Sequence, residues 1–164
     1  MSRELWLLRH GEAEQFTTKA DVDRNLTHHG EHEVRHIAKT LHKTGLRPDA
    51  LITSPAARAY QAARLVAPTL GWDETALAAD SRLYFQGLVA VKTLLAELPP
   101  SLGRVLLVGH NPDFENLLLE LVGFDNLRFR GDLMPTATWV RIELPDDWQH
   151  LAAECGTLLA REVP

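Results

Sequence analysis

The run Leu5–Leu8 near the start of the chain is apolar at every position. A strand without a polar face has to be covered on both sides, which is typical of a parallel sheet inside a layered α/β fold. Further along the chain, runs with strand character alternate with segments of helical periodicity. We therefore predict an α/β protein with a largely parallel central sheet.

The predicted elements follow one another in a regular order. Strands are predicted at Leu5–Leu8, Ala50–Thr53, Leu77–Ala79, Arg104–Val108 and Thr138–Leu144, with further C-terminal strands at Trp148–Ala153 and Thr157–Ala160. Helices are predicted from Thr27 to Thr44, from Ser54 to Leu70, from Leu88 to Leu98 and from Asn111 to Gly123. The polar segment Glu12–Asn25 is expected to be a loop.

Composition limits the classes of function. The 164 residues, 45% of them hydrophobic, fit one domain spanning 1–164. A net charge of −5 disfavours binding to nucleic acid or to an anionic membrane surface. Cys155 is the one cysteine, so no intrachain disulfide can form, and a reducing compartment, the cytoplasm, is expected.

Polar residues follow three predicted strands at the point where each strand ends. Arg9-His10-Gly11 follows one strand, Thr53–Arg58 another and Gly109–Pro112 a third. Ligands of open α/β sheets bind at the carboxyl ends of the strands, so these side chains are expected to converge there. The crevice would contain two arginines and two histidines, namely Arg9, Arg58, His10 and His110. Such a set would bind a compact dianion, for which phosphate is the obvious candidate.

Two pairs of residues strengthen the case for an anion site. Ser54-Pro55 and Asn111-Pro112 each place a capping residue before a proline suited to the first helical position. Each pair is therefore expected to aim a helix N-terminus, with its free N–H groups, at the crevice. Ser54 and Asn111 could contact the anion, although capping alone would explain both residues.

His10 has the chemistry of a nucleophile. A neutral imidazole with one free nitrogen can attack phosphorus near neutral pH, and Gly11 permits a tight turn and the close approach of a ligand. The product would be a phosphohistidine that water then hydrolyses. Arg9, Arg58 and His110 would stabilise the charge that the transition state spreads over the equatorial oxygens.

Four segments of the chain resemble the histidine phosphatase superfamily, also called the phosphoglycerate mutase-like family. LLRHGEAE is similar to the R-H-G signature, and RNLTHHG, Arg24–Gly30, is similar to a segment of the short SixA-type phosphohistidine phosphatases. LITSPAARAYQAA, Leu51–Ala63, resembles the family's S-P-x-x-R segment, and LLVGHNP, Leu106–Pro112, resembles its second-histidine segment. The segments keep the family's order and span almost the whole chain.

This resemblance implies a three-layer α/β/α sandwich and a reaction that needs no metal or other cofactor. The implied site comprises a phosphorylated His10 and the groups around the phosphoryl, namely Arg9, Arg58, His110, Ser54 and Asn111. The short SixA-type members also imply a partner, a phosphotransfer protein that carries phosphohistidine.

One departure from the family concerns the leaving group. Larger members carry an acidic proton donor after the third strand, whereas Ala79–Val91 contains Asp80 but no glutamate with the usual flanks. Expelling an alkoxide without an acid is slow, but a phosphorylated imidazole leaves more readily. We therefore predict a phosphohistidine phosphatase. The alternatives are a small-molecule phosphomonoester phosphatase, with Asp80 or Glu12 as its acid, and a phosphate-binding module without turnover.

A rival motif lies on the first predicted helix. HEVRH, His32–His36, fits the H-E-x-x-H pattern of zinc peptidases, and His28 falls on the same helical stripe. The flanks are polar and a convincing third ligand is lacking, so these histidines are expected to face solvent or the edge of the groove. The charged segment Asp21–Arg24 is expected to be a solvated loop from which Arg24 could touch a ligand.

Other candidate residues have structural explanations that stay open. Arg9 could form a buried salt bridge with Glu12 or Asp113 instead of binding phosphate. Tyr84 and Phe85 could line the rim of the pocket or pack in the core.

Overall fold

The computed structural model describes residues 2–164, and its centre is a sheet of six strands. The strands are β1 (Arg3–Arg9), β2 (Ala50–Thr53), β3 (Ala78–Ala79), β4 (Arg104–Gly109), β5 (Trp139–Leu144) and β6 (Thr157–Glu162). Their order is β3-β2-β4-β1-β5-β6. The first four strands pair in parallel, whereas β5 and β6 add antiparallel pairs. The prediction of a mostly parallel sheet is confirmed.

Helices cover both faces of this sheet. They are α1 (His28–Lys43), α2 (Ala57–Val66), α3 (Leu88–Glu97) and α4 (Asp113–Val122). The side chains of β1 alternate between two cores: Leu5 and Leu7 pack with α3 and α4, whereas Trp6 and Leu8 pack with α1 and α2. This three-layer α/β/α arrangement explains why the centre of β1 has no polar residue.

The register of β1 and β4 decides where polar side chains leave the sheet. The parallel pairing sets Arg9 opposite Gly109, and the N–H of His10 donates to the Gly109 carbonyl at 3.2 Å. His10 directly follows β1, and His110 directly follows β4. The two histidines therefore emerge side by side at the carboxyl edge of the sheet.

The loop after β1 packs against the start of α1. Thr27 caps this helix, as predicted, because its hydroxyl oxygen accepts the N–H of Gly30 at 3.0 Å. A Cβ atom on Gly11 would lie 2.4 Å from the Gly30 carbonyl oxygen, and one on Gly30 would lie 2.0 Å from the Glu12 carbonyl oxygen. Gly11 therefore permits the backbone of α1, and not a ligand, to come close to the loop after His10. This contact fixes the position of that loop.

The start of α2 differs from the prediction. The helix begins at Ala57, and the N-cap residue Ala56 makes no side-chain cap. Ser54 instead accepts the N–H of Ala56 at 3.2 Å, and its hydroxyl lies 2.8 Å from Nε2 of His110. The serine is thus engaged by a histidine from another strand, and the chain makes a turn before the helix starts.

The start of α4 also differs from the prediction. Pro112 occupies the N-cap position, and the helix begins at Asp113 without a side-chain cap. The side-chain amide of Asn111 donates to Glu115 Oε1 and to the Met134 carbonyl, both at 2.9 Å. The side-chain oxygen of Asn111, the atom that would cap a helix, is buried and has no hydrogen-bond partner among residues 2–164, so Asn111 has a different role here.

The predicted strand at Trp148–Ala153 is wrong. Its two buried residues, Trp148 and Leu151, are three positions apart, whereas a half-buried strand buries every second residue. Both pack into the core on the α3 and α4 side of the sheet. The predicted strand at Thr157–Ala160 corresponds to β6. No helix of residues 2–164 combines the length and the apolar character needed to cross a membrane.

Gly30→Ala is expected to destabilise the fold by about 1–3 kcal/mol, because the new methyl group would overlap the Glu12 carbonyl. Unfolding in urea measures the change in free energy. Arg35→Ala, at an exposed position of the same helix, is the matched control and should change stability by less than about 0.5 kcal/mol. Wild-type stability in Gly30→Ala would contradict the close backbone approach.

Candidate active site

Two histidines lie next to each other at the carboxyl edge of the sheet. The ring centroids of His10 and His110 are 5.0 Å apart and the ring planes meet at 60°. His10 is 8% exposed and His110 is 1% exposed. The fold thus brings together the two histidines that the sequence places at separate strand ends, and it largely removes them from solvent.

The backbone decides which nitrogen of His10 is free. Nδ1 of His10 lies 2.6 Å from the carbonyl oxygen of Gly11. Because a carbonyl can only accept, Nδ1 carries the proton and Nε2 of the neutral ring keeps its lone pair. The backbone of His10 is also held, since its carbonyl accepts the N–H of Ala137 at 2.9 Å. His10 therefore offers a nucleophilic nitrogen in a fixed orientation.

The ring of His110 is oriented by Ser54. Nε2 of His110 lies 2.8 Å from the Ser54 hydroxyl, whose oxygen also accepts the N–H of Ala56. The hydroxyl proton has no other acceptor among the hydrogen bonds of residues 2–164, so the hydroxyl donates to Nε2. With the hydroxyl as donor, the ring proton is on Nδ1. That nitrogen is buried and has no hydrogen-bond partner among residues 2–164. It is therefore available to donate to an oxyanion.

Burial and neighbouring cations keep both rings neutral. Burial is the main cause that lowers the pKa of His10 to about 4, and the charges of Arg58 and Arg9 lower it further. Burial also lowers the pKa of His110 to about 3, with contributions from His10 and Arg58. The nucleophile does not need to be deprotonated at neutral pH before it can attack.

Arg58 is a buried guanidinium with an acidic partner that the sequence analysis missed. Its Nη1 donates to the Asp21 carbonyl at 2.7 Å and its Nη2 to the Asp21 carboxylate at 3.0 Å, while Nε is buried and has no hydrogen-bond partner among the described residues. Arg24 donates to the other carboxylate oxygen of Asp21 at 3.0 Å.

The Asp21–Arg24 segment is solvated, as expected, since Asp21 and Asp23 are exposed, but both of its ends form ion pairs. Asp21 is partly exposed, but it joins two arginine side chains beside the histidine pair. The available signal was electrostatic: several cations predicted in one crevice call for a counter-charge, and the nearest acidic loop could supply it.

Arg9 and Asn111 meet at one carbonyl oxygen. Nη1 of Arg9 and the side-chain nitrogen of Asn111 both donate to the Met134 carbonyl at 2.9 Å. Nε of Arg9 is buried and unpartnered within the part of the chain that the structure describes. The salt bridges considered for Arg9, to Glu12 or Asp113, do not form in residues 2–164. Asn111 thus anchors the chain beside Arg9, whose charge lowers the pKa of the histidine pair.

Tyr84 and Phe85 line the rim of the site. Phe85 is 46% exposed, and its ring centroid lies 4.6 Å from that of His110 and 5.8 Å from the Arg58 guanidinium carbon. The Tyr84 ring lies 5.6 Å from His110, and its hydroxyl donates to Asp21 at 2.5 Å. Tyr84 and Phe85 therefore lie at the rim of the site and not in the core.

Two carboxylates near the site, Asp21 and Asp80, are poorly suited to donate a proton. Hydrogen bonds, the one from Tyr84 above all, lower the pKa of Asp21 to about 2. Hydrogen bonds from Arg82 hold the pKa of Asp80 below its usual range. Glu12 is exposed, and its carboxylate accepts a hydrogen bond from the Thr27 hydroxyl at 2.9 Å. An ionised carboxylate cannot act as a general acid, so Asp21 and Asp80 are unsuited to protonating a leaving group.

The histidine stripe on α1 faces solvent. His28, His32 and His36 are all exposed. Within residues 2–164, no group of three or more histidine, cysteine, aspartate or glutamate side chains is arranged to hold a metal ion. The expectation of solvent-facing histidines is confirmed.

The lowered pKa values predict a specific loss of stability in acid. In the unfolded chain both rings bind protons below about pH 6.5, whereas in the folded state they stay neutral down to about pH 4 and about pH 3. Over that interval the unfolded state binds more protons than the folded state. The free energy of unfolding therefore decreases as the pH is lowered, by up to about 1.4 kcal/mol per pH unit for each ring. Urea unfolding at pH 7 and pH 5 measures the slope.

His10→Asn and His110→Asn should each make this slope shallower, whatever they do to stability at pH 7. His36→Asn, on the exposed stripe of α1, is the matched control and is expected to keep the wild-type slope. A wild-type slope in both active-site variants would show that the two rings are not held neutral by the fold.

Comparison of the chain with known proteins gives a family match. Residues 5–84 match the family described as the histidine phosphatase superfamily (branch 1). An uncharacterized protein of Picosynechococcus sp. is 34% identical in an alignment of 119 residues, and the alignment covers 67% of this chain and 67% of that one.

Solved structures extend the match to the full length of the chain. A SixA protein of Agrobacterium tumefaciens is similar with a TM-score of 0.82 and 25% identity, over 99% of this chain and 98% of that one. The protein histidine phosphatase SixA in complex with tungstate has a TM-score of 0.80 at 22% identity, over 98% and 96%. A mycobacterial glucosyl-3-phosphoglycerate phosphatase shares the fold with a TM-score of 0.70 at 18% identity, over 98% of both chains. This chain belongs to the histidine phosphatase superfamily, in its SixA-type branch.

Proposed function

We propose that this protein is a metal-independent phosphatase that works through a phosphohistidine at His10 and removes the phosphoryl group from phosphohistidine on a phosphotransfer protein. The observation that carries the proposal is the hydrogen bond from Nδ1 of His10 to the Gly11 carbonyl. It leaves Nε2 unprotonated and aimed away from the backbone, in a site where Arg9 and Arg58 supply fixed positive charge.

In the first step the lone pair on Nε2 of His10 attacks phosphorus. The bond from phosphorus to the substrate nitrogen breaks, and its electron pair stays on that nitrogen. A substrate imidazole that is protonated on its other nitrogen leaves as a neutral ring, so no acid is needed at the breaking bond. Arg9, Arg58 and Nδ1 of His110 stabilise the equatorial oxygens during transfer.

In the second step water attacks the phosphorus of the phosphoenzyme. The electron pair of the N–P bond returns to Nε2, and the phosphate leaves with both hydrogens of the water. The Gly11 carbonyl accepts a hydrogen bond from Nδ1 of His10 in both steps. This hydrogen bond also stabilises the positive ring of the phosphorylated His10.

The state of the nearby carboxylates favours a nitrogen leaving group over an alkoxide. Asp21 and Asp80 are both held ionised by their hydrogen-bond donors, and Tyr84 already donates its proton to Asp21. General acid catalysis typically contributes about 10²–10⁴-fold to expulsion of a poor leaving group. With neither of these carboxylates suited to act as an acid, the site is better matched to phosphohistidine than to a phosphomonoester.

Similar proteins support an oxyanion as the ligand of this pocket. Structures that share the fold include a SixA complex with tungstate, and glucosyl-3-phosphoglycerate phosphatase complexes with VO3 and with inorganic phosphate. We place the protein in the cytoplasm, which agrees with a single cysteine, Cys155, that is free.

His10→Ala is expected to reduce turnover by roughly 10³-fold or more, because the nucleophile is lost. Rapid mixing of the wild type with a ³²P-labelled slow substrate, followed by acid and base treatment, should detect an acid-labile, base-stable phosphate on His10. Neither activity nor trapping should change when EDTA is present. His36→Asn is the control for the loss of a surface histidine. Unchanged turnover in His10→Ala would rule out the proposed intermediate.

The wild type is expected to prefer a phosphohistidine-bearing protein over small phosphomonoesters by at least about 100-fold in kcat/KM, because the second class needs an acid. Release of inorganic phosphate measures both rates. Comparable turnover of sugar phosphates would assign the protein to the phosphomonoester phosphatases. Tight binding of phosphate with no turnover of either class would make it a binding module.

A further inference from the structure

Phe85 stands out among the rim residues because its position is costly. The side chain is 46% exposed and the backbone has a φ of +52°, in the left-handed region that bulky residues seldom adopt. This backbone conformation is costly for a bulky residue, and strained residues cluster at functional sites. Phe85 combines this conformation with a ring contact to His110 of the site.

The loop that carries Phe85 is held on both sides. The Asp80 carboxylate accepts the N–H of Arg82 at 2.9 Å and caps the turn before the loop. The N–H of Gly87 donates to the Asp113 carboxylate at 3.1 Å, which ties the end of the loop to the first turn of α4. The ring of Phe85 also packs against Tyr84, with centroids 5.0 Å apart. Its orientation is therefore set before a substrate arrives.

The Phe85 ring lies beside the groups assigned to the phosphoryl oxygens. Phe85 contacts His110 and lies near the Arg58 guanidinium, two of the groups assigned to the phosphoryl oxygens. His10 packs on His110 as well, but no ring contact joins His10 to Phe85 in residues 2–164. A substrate has to enter the site from solvent, and the exposed part of Phe85 lies beside His110. A group attached to the phosphoryl can therefore meet the Phe85 ring.

We propose that Phe85 stacks on the imidazole of the substrate and selects phosphorylated rings over other phosphoramidates. The inference rests on the proposed function and names the part of the substrate that Phe85 contacts. Aromatic pairs of this kind contribute about 0.5–1.5 kcal/mol beyond the area they bury. The positive charge of a protonated phosphoimidazole strengthens the contact with the ring face. Phe85 is thus a specificity residue for the leaving group.

The test compares two substrates that share the P–N bond and differ in the ring: free phosphohistidine and phosphoramidate. The readout is the ratio of their kcat/KM values, with phosphohistidine as the numerator. Phe85→Leu keeps apolar bulk beside His110 but removes the aromatic face, and it should lower the ratio about threefold to tenfold. Phe85→Tyr restores the face and should keep the ratio within about twofold of the wild type.

Phe16→Ala is the matched control. Phe16 is also a phenylalanine in the left-handed region, with a φ of +53°, and it is fully exposed. It should leave the ratio unchanged. An equal loss on both substrates in Phe85→Leu, or no loss on either, would overturn the stacking role. A wild type that fails to hydrolyse phosphohistidine on a phosphotransfer protein would instead refute the proposed function.

Discussion

The parallel pairing of β1 with β4 is the constraint on which the site depends. Both strands are buried on two faces, and β1 alternates its side chains between separate cores. A slip of one residue would exchange those faces, and the ring of Trp6 would lose its edge-on contact with Trp139, whose centroid is 5.1 Å away. It would also move His10 about 3.3 Å along the sheet relative to His110. Core packing and alignment of the histidines are therefore one requirement.

Electrostatic balance follows from that arrangement. The buried histidines lie among arginines, so protonating either ring is unfavourable, and His10 keeps its lone pair at neutral pH. The same positive charge favours a dianionic phosphoryl group. Asp21 offsets part of it by binding Arg58 and Arg24, and those arginines in turn keep Asp21 ionised. The carboxylate that balances these arginines is therefore unsuited to serve as an acid, which is why the proposed reaction depends on the leaving group.

Long-range backbone contacts give the site its rigidity. The contact between Gly11 and Gly30 holds the segment whose carbonyl selects the tautomer of His10. The Met134 carbonyl, far along the chain, receives both Arg9 and Asn111. These interactions join loops that no single helix or strand connects, and each restricts a group that would touch the phosphoryl. Preorganisation of this kind is what electrostatic catalysis requires.

The sequence by itself determined the α/β class, the helices and the main strands, because hydrophobic periodicity and helix stops are local signals. It also placed Arg9, His10, Arg58 and His110 at one sheet edge, because strand ends of a parallel sheet share an edge. Only the tertiary structure decided the partners of these groups. Capping was the local expectation for Ser54 and Asn111, but Ser54 pairs with His110, and Asn111 donates to Met134 and Glu115. Asp21 is 37 residues from Arg58, and a polar loop without periodicity carries no signal of where it will fold.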